Sequence, residues 1–253
     1  MRYYIAIDDT DNAAGAGQNQ GTGARARQLA TLLAQATGGR PGGVTRHQLL
    51  VDPAIPYTSH NSAACIVINV VEEQNPSDVL ARLTAEGAVF LEQYSAPGSD
   101  AGLCVATWPQ VPAAVLDWGR RAQRELLTAA EAHQIAADTG IHLSGHTGDR
   151  IGVIGALAAV GLRHGGADGR FVHLPGLRQL LGPQPVSALT AVGVAGFRTV
   201  TVPVGLSAGE VIDIGDKWPQ PVLLDDRPIL LIEPTGQDAV AWRTVPREIL
   251  KQY

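Results

Sequence analysis

Tyr3–Ile7 is a short apolar run that stops abruptly at three acids, Asp8, Asp9 and Asp11. This reads as a buried strand that delivers carboxylates at its carboxyl end. Residues 12–23, rich in Gly, Ala, Asn and Gln, read as a loop. From Thr22 to Gln35 the leucines at 29, 32 and 33 share one helical face. Val44–Val51 and Ala63–Val71 read as strands, and the intervening Asp52-Pro53-Ala54-Ile55-Pro56-Tyr57 as an extended turn set by two prolines. Ser77–Gly87 is amphipathic at helical spacing, and Leu103–Thr107 is a further strand. Pro112–Ala137 reads as one long Ala-rich helix closed by Asp138-Thr139-Gly140. A glycine-punctuated loop from His142 then leads into a helix over Ile151–Val160.

Beyond residue 185 the periodicity changes to short β-prone runs at Thr199–Val204, Val211–Ile214, Val222–Leu224, Ile229–Ile232 and Ala239–Trp242, separated by Gly, Pro and Asp turns. The expected architecture is an α/β domain over 1–184, a mixed sheet with flanking helices, followed by a small β-rich appendage over 185–253. No internal repeat is visible.

Composition narrows the function classes. The chain of 253 residues is 45% hydrophobic and 17% charged, enough apolar material for a sizeable core. Its net charge of −5 gives no broad attraction to a phosphate backbone. Seventeen of its nineteen basic residues are arginine, leaving only Lys217 and Lys251. Cys65 and Cys104 form no CxxC and read as small buried hydrophobes in a reducing compartment. Charge interrupts the N-terminus where a signal peptide needs its apolar stretch, and no run is long enough to span a membrane, so a cytoplasmic protein is expected.

Three acids in four residues repel one another, and a hard cation such as Mg²⁺ relieves this while bridging to phosphate oxygens. Thr10 can donate its hydroxyl to a phosphate or cap the turn. The plainer alternative is a solvated turn in which the aspartates cap backbone amides. A Walker-type GxxxxGK[ST] is absent, because neither lysine follows a glycine. An aspartyl phosphatase would use Asp9-Thr10-Asp11, but its downstream lysine and acid pair would have to be Lys217 and Asp225-Asp226, in a segment without the expected helices.

His146-Thr147-Gly148-Asp149-Arg150-Ile151-Gly152 supplies the complementary chemistry just ahead of a helix. Glycines let amides approach an anion, a helix start adds partial positive charge, and Arg150 can clamp two phosphate oxygens. The alternative is a helix entry whose glycines serve close packing. His60 and Asn61, with His47 and Arg46, could face the site after the proline turn. Ser99 and Asp100 could touch nucleotide, although a plain turn explains them as well. His142 and His146 read as loop residues. The four tryptophans are too dispersed for a stacking stripe and read as core.

The two elements in this order resemble the catalytic domain of the archaeal tRNA-isoleucine agmatinylcytidine synthetase family. The matching stretches are Ile7-Asp8-Asp9-Thr10-Asp11-Asn12, Gly21-Thr22-Gly23, the 52–57 turn, and Gly148 through Gly161, with a Pro97-Gly98 loop where that family has one. The resemblance covers about residues 1–165 and implies an ATP-dependent, kinase-like α/β domain. In that family ATP phosphorylates a cytidine oxygen of tRNA and agmatine displaces the phosphate. By carry-over, Asp8, Asp9 and Asp11 hold Mg²⁺ and polyphosphate, and Thr10, Gly21, Thr22, His146, Thr147, Gly148 and Gly152 line the nucleotide site with Arg150.

Departures from the family are the expanded loop over 13–20, the acid at Asp149, and the absence of a cysteine zinc ribbon. An acidic chain without a ribbon points to a phosphotransferase or ligase acting on a smaller acceptor than tRNA. A non-catalytic nucleotide sensor and a metal-dependent phosphohydrolase are the alternatives. Expected partners are a nucleotide and an unidentified acceptor, with tRNA and a homodimer as further candidates and no membrane.

Overall fold

The computed structural model describes residues 1–12, 21–55, 61–71, 73–236, 240–250 and 252–253, which form two compact units, Met1–Gly165 and Gly166–Tyr253. The fold class is α/β with a mixed sheet and flanking helices.

In the first unit β1 (Arg2–Asp8) pairs antiparallel with two neighbours: β3 (Ser62–Asn69) on one side and β4 (Gly102–Thr107) on the other. Beyond β3 lies β2 (Arg40–Gln48), and beyond β4 lies β5 (His142–Gly145), both antiparallel. Strand alternation sends Tyr4, Ala6, Cys65, Val67, Cys104 and Ala106 to one face. There they pack on α3 (Ala113–Ala122), α4 (Ala129–Thr139) and α5 (Val153–Gly165), with Trp118 fully buried and its indole N–H donating to the Ile154 carbonyl at 3.1 Å. The opposite face meets α1 (Thr22–Thr37) and α2 (Pro76–Tyr94). Both cysteines are free and buried, and burial pushes the Cys65 thiol up to about 12.

Several expectations are corrected. The stretch 112–137 is two helices, because the chain breaks at Gln123–Thr128 and Thr128 starts α4 through a reciprocal capping box with Glu131. His142–Gly145 is an edge strand and not loop, its ladder to β4 outweighing its weak apolar pattern. The second helix runs on to Tyr94, since Val79, Leu83, Gly87, Phe90 and Leu91 continue its buried stripe. It begins where Asn75 accepts from Ser77 N at 3.0 Å with Pro76 in the first turn. The second strand sits earlier than expected, at Arg40–Gln48.

In the second unit β9 (Arg227–Pro234) is the axis. It pairs antiparallel with β8 (Val222–Leu224) and β10 (Trp242–Thr244), and parallel with β7 (Gly196–Arg198). Phe171 of β6 (Arg170–His173) and Leu174 and Leu177 join Leu189, Ile212, Leu223 and Leu230 in its core, so residues 166–184 pack with this unit. Within 199–204 only Pro203–Val204 is strand, because Thr199 closes a turn by accepting from Val202 N at 3.1 Å. No helix of the described residues is long and apolar enough to cross a membrane.

Candidate functional site

Asp8 is the last residue of β1 and is buried. Its carboxylate lies directly on Gly155 in the first turn of α5, where any Cβ would overlap it. The sequence motif therefore needs glycine at 155 for the strand-end acid to seat there, where a helix start favours negative charge. The chain then turns at Asp9, whose φ of 50° is left-handed for a non-glycine residue.

Thr10, Asp11 and Asn12 are pinned on two sides. Thr10 Oγ1 donates to Thr22 Oγ1 at 3.1 Å, and Thr22 Oγ1 donates to Asp11 Oδ1 at 3.2 Å. The Thr10 carbonyl accepts from Ala96 N at 2.9 Å, and Asn12 Nδ2 donates to the Pro97 carbonyl at 2.6 Å. Gly21 caps α1 without a side-chain acceptor, so the amides of that helix start have no capping side chain at Gly21. Arg25, buried one turn later, donates through Nε to the Tyr94 carbonyl at 2.6 Å. Burial lowers its basicity, and the nearby Asp11 opposes that shift.

The second loop is held by the segment between α2 and β4. The Asp100 carboxylate accepts from Asp149 N, and the Asp100 carbonyl accepts from Gly152 N at 2.9 Å. Thr147 Oγ1 accepts from Ala101 N at 2.8 Å and lies 3.2 Å from the buried Ser99 hydroxyl. A Cβ on Gly152 would stand 2.9 Å from the Asp8 carbonyl and 2.5 Å from that of Asp100. Only glycine permits this approach between the strand end and the loop. Arg150 is exposed with a left-handed φ of 64°, and among the described residues it makes no ion pair.

Burial and then Asp9 raise the Asp8 carboxyl to about 8, against a lowering from the Asp9 amide, and Asp11 adds a smaller rise. Burial, then Asp100 and then Asp11, raises Asp9 to about 6. The strand end is thus short of positive charge. Among the described residues no group of three His, Cys, Asp or Glu side chains is gathered to hold a metal ion. The hard oxygen donors of Asp8 and Asp9 fit instead the sparse way Mg²⁺ is usually held, by one or two carboxylates with phosphate and water completing the shell.

Of the residues expected from the sequence, Asp8 and Gly152 meet directly, and Thr10, Asp11, Thr22 and Gly21 form one cluster. Thr147 and Gly148 stand against Ser99 and Asp100. His146 is engaged elsewhere: its Nε2 is 2.8 Å from Ser144 Oγ, which is also 2.9 Å from His142 Nε2, and its Nδ1 is 3.4 Å from Glu92. His47 is buried in β2, 2.8 Å from Thr45 Oγ1. Residues 13–20, Pro56, Tyr57 and His60 lie outside the described residues. Sequence reading missed the tethering role of Asp100 and the seat at Gly155. The Gly98-Ser-Asp-Ala-Gly102 spacing and the run Gly152-Val-Ile-Gly155 were the available signals.

No family model and no curated protein matches the chain. Among solved structures it is similar to a tRNA fluorescent labeling enzyme, with 24% identity, TM-score 0.49, and 64% of this chain and 36% of that chain covered. Apo TiaS, an agmatidine synthetase for an isoleucine tRNA, matches with 21% identity, TM-score 0.46, and 64% and 35% of the two chains covered. The complex of TiaS with that tRNA and ATP matches with 24% identity, TM-score 0.48, and 64% and 36% covered. The chain spans about a third of the length of these neighbours.

Proposed function

We propose that the first unit is an Mg²⁺-dependent, ATP-using phosphotransferase or ligase site acting on a small acceptor. The observation that carries this reading is the convergence of the strand-end acids with the loop 146–152. Asp8 rests on Gly155, and Asp100 ties that loop to the segment whose carboxylate also raises Asp9. Two regions about 140 positions apart in sequence meet in one polar locus, and each brings one half of what a metal–triphosphate needs.

In this reading Asp8 and Asp9 would hold the divalent ion, and Asp11 fixes the start of α1 through Thr22. The ion would supply neutralising positive charge to the phosphates. The α1 start at Gly21-Thr22 offers backbone amides to phosphate oxygens, and Arg150 is the exposed guanidinium that reaches the transferred group. Asp100 takes up the Asp149 amide, so the loop is preorganised by an internal anion and contributes its shape and its arginine more than a full ring of amides. The left-handed backbone at Asp9 and Arg150 fits a site in which local strain holds functional groups in place.

Calorimetric titration of ATP with and without Mg²⁺ tests the proposal. One ATP per chain in the presence of Mg²⁺, with affinity at least tenfold weaker in chelator, is expected. Equal affinity under both conditions would remove the metal from the reading, and no heat under either would remove the nucleotide.

A further inference from the structure

The second unit contains a cavity of about 270 Å³ whose wall includes Asp216, Lys217, Trp218, Leu230, Arg247 and Leu250. Its size lies just below the range for drug-sized ligands, roughly 300–1,000 Å³, and suits a smaller molecule. Its wall carries two cations, Lys217 and Arg247, against one acid, Asp216. Among the described residues Lys217, Arg247 and Arg170 make no ion pair. Arg170 is half-buried on β6, and burial first and the charge of Arg247 second lower its basicity. A further arginine, Arg178, stacks 4.2 Å from the centre of the Trp218 ring.

Cations gathered at a partly apolar hollow attract an anion, the more so as the hollow excludes water. A guanidinium and an ammonium on one wall are the usual receptors of a phosphate. Trp218, Leu230 and Leu250 add a surface for an apolar or aromatic body. We infer that the cavity of the second unit is a binding site for a small organic phosphate monoester, its phosphate held by Lys217 and Arg247 and its body against Trp218. This inference stands independently of the nucleotide site in the first unit.

Phenyl phosphate, inorganic phosphate and phenol are the probes, titrated into the full chain by calorimetry and by tryptophan fluorescence. Phenyl phosphate is expected to bind one per chain, at least tenfold more tightly than phenol or inorganic phosphate. The Lys217→Ala/Arg247→Ala double variant should lose at least tenfold of that affinity, and Trp218→Phe should abolish the fluorescence change. Lys217 and Arg247 are exposed, so the double variant should keep its circular dichroism and its Mg–ATP titration unchanged. Asp9→Asn should bind phenyl phosphate as the parent does. Unchanged affinity in the double variant, or phenol binding as tightly as its phosphate ester, would overturn the proposal. Loss of phenyl phosphate binding in Asp9→Asn with retention in the double variant would do so too, assigning the ligand to the first unit.

Discussion

In Met1–Gly165 the candidate site gathers acids that are nearly contiguous in sequence; in Gly166–Tyr253 the cavity and its surroundings gather cations that are scattered. Asp8, Asp9 and Asp11 follow one strand, and a fourth acid, Asp100, comes from a loop that packs beside them. Arg170, Arg178, Lys217 and Arg247 come from four separate segments. The two solutions differ in rigidity as well. The acids are seated against glycines and fixed hydrogen bonds, so their geometry is set before any ligand arrives. Lys217 and Arg247 are long exposed side chains that take their final positions when an anion does. The first arrangement suits chemistry, which needs preorganisation, and the second suits binding.

The sharpest way to break this contrast is to remove one acid while keeping its shape. Asp9→Asn is expected to lower ATP turnover by about 10²-fold or more, as loss of a positioned charge in a preorganised site does. Circular dichroism should be unchanged, because Asp9 is half-exposed and outside the strand. ADP and AMP formation, followed by chromatography with a panel of small acceptors, measures it. Near-parental turnover would show that the acid cluster is only a turn.

A smaller effect is expected from the seat beneath the acids. Gly155→Ala places a methyl group on the Asp8 carboxylate and close to Leu49 Cδ1. Overpacking of this kind costs about 1–3 kcal/mol in stability, and displacement of Asp8 should weaken Mg–ATP binding by roughly tenfold. Denaturant unfolding and calorimetry separate the two effects. An alanine variant with parental stability and affinity would mean that Asp8 has room to move and is not preorganised.

The contrast also explains what sequence reading could reach. The strand ending in acids, the helix after Gly21 and the buried stripe of α5 announce themselves through contiguous patterns, since each is a local consequence of alternation or 3.6-residue periodicity. Asp100 gives no such signal, because its partner amide is 49 positions away and a loop aspartate ordinarily caps its own turn. His142–Gly145 is strand by virtue of its β4 ladder, not its composition. The Thr128–Glu131 capping box was written in the chain, but the alanines on both sides hid the break it marks. The cationic cavity was the least legible, with its groups dispersed over nearly eighty residues.

The prediction that bears on stability alone, and tests the sign of the first unit's charge, is the response of the ligand-free chain to pH. Asp8 and Asp9 retain their protons in the fold up to about 8 and 6, against 3.8 for an ordinary aspartate. Between those limits the folded state binds more protons than the unfolded state, so the free energy of unfolding falls as pH rises. The stabilisation is complete below about pH 4, declines through the Asp9 value and is lost through that of Asp8. Thermal unfolding should therefore shift downward between pH 5 and 8.5, each pH unit over which the folded state holds one extra proton being worth about 1.4 kcal/mol. Asp8→Asn should flatten the upper part of that slope, because a neutral amide has nothing to titrate. Mg²⁺ with ATP should restore most stability at high pH, where the carboxylates it binds are ionised. A slope that survives Asp8→Asn intact would place the titrating group outside the strand end.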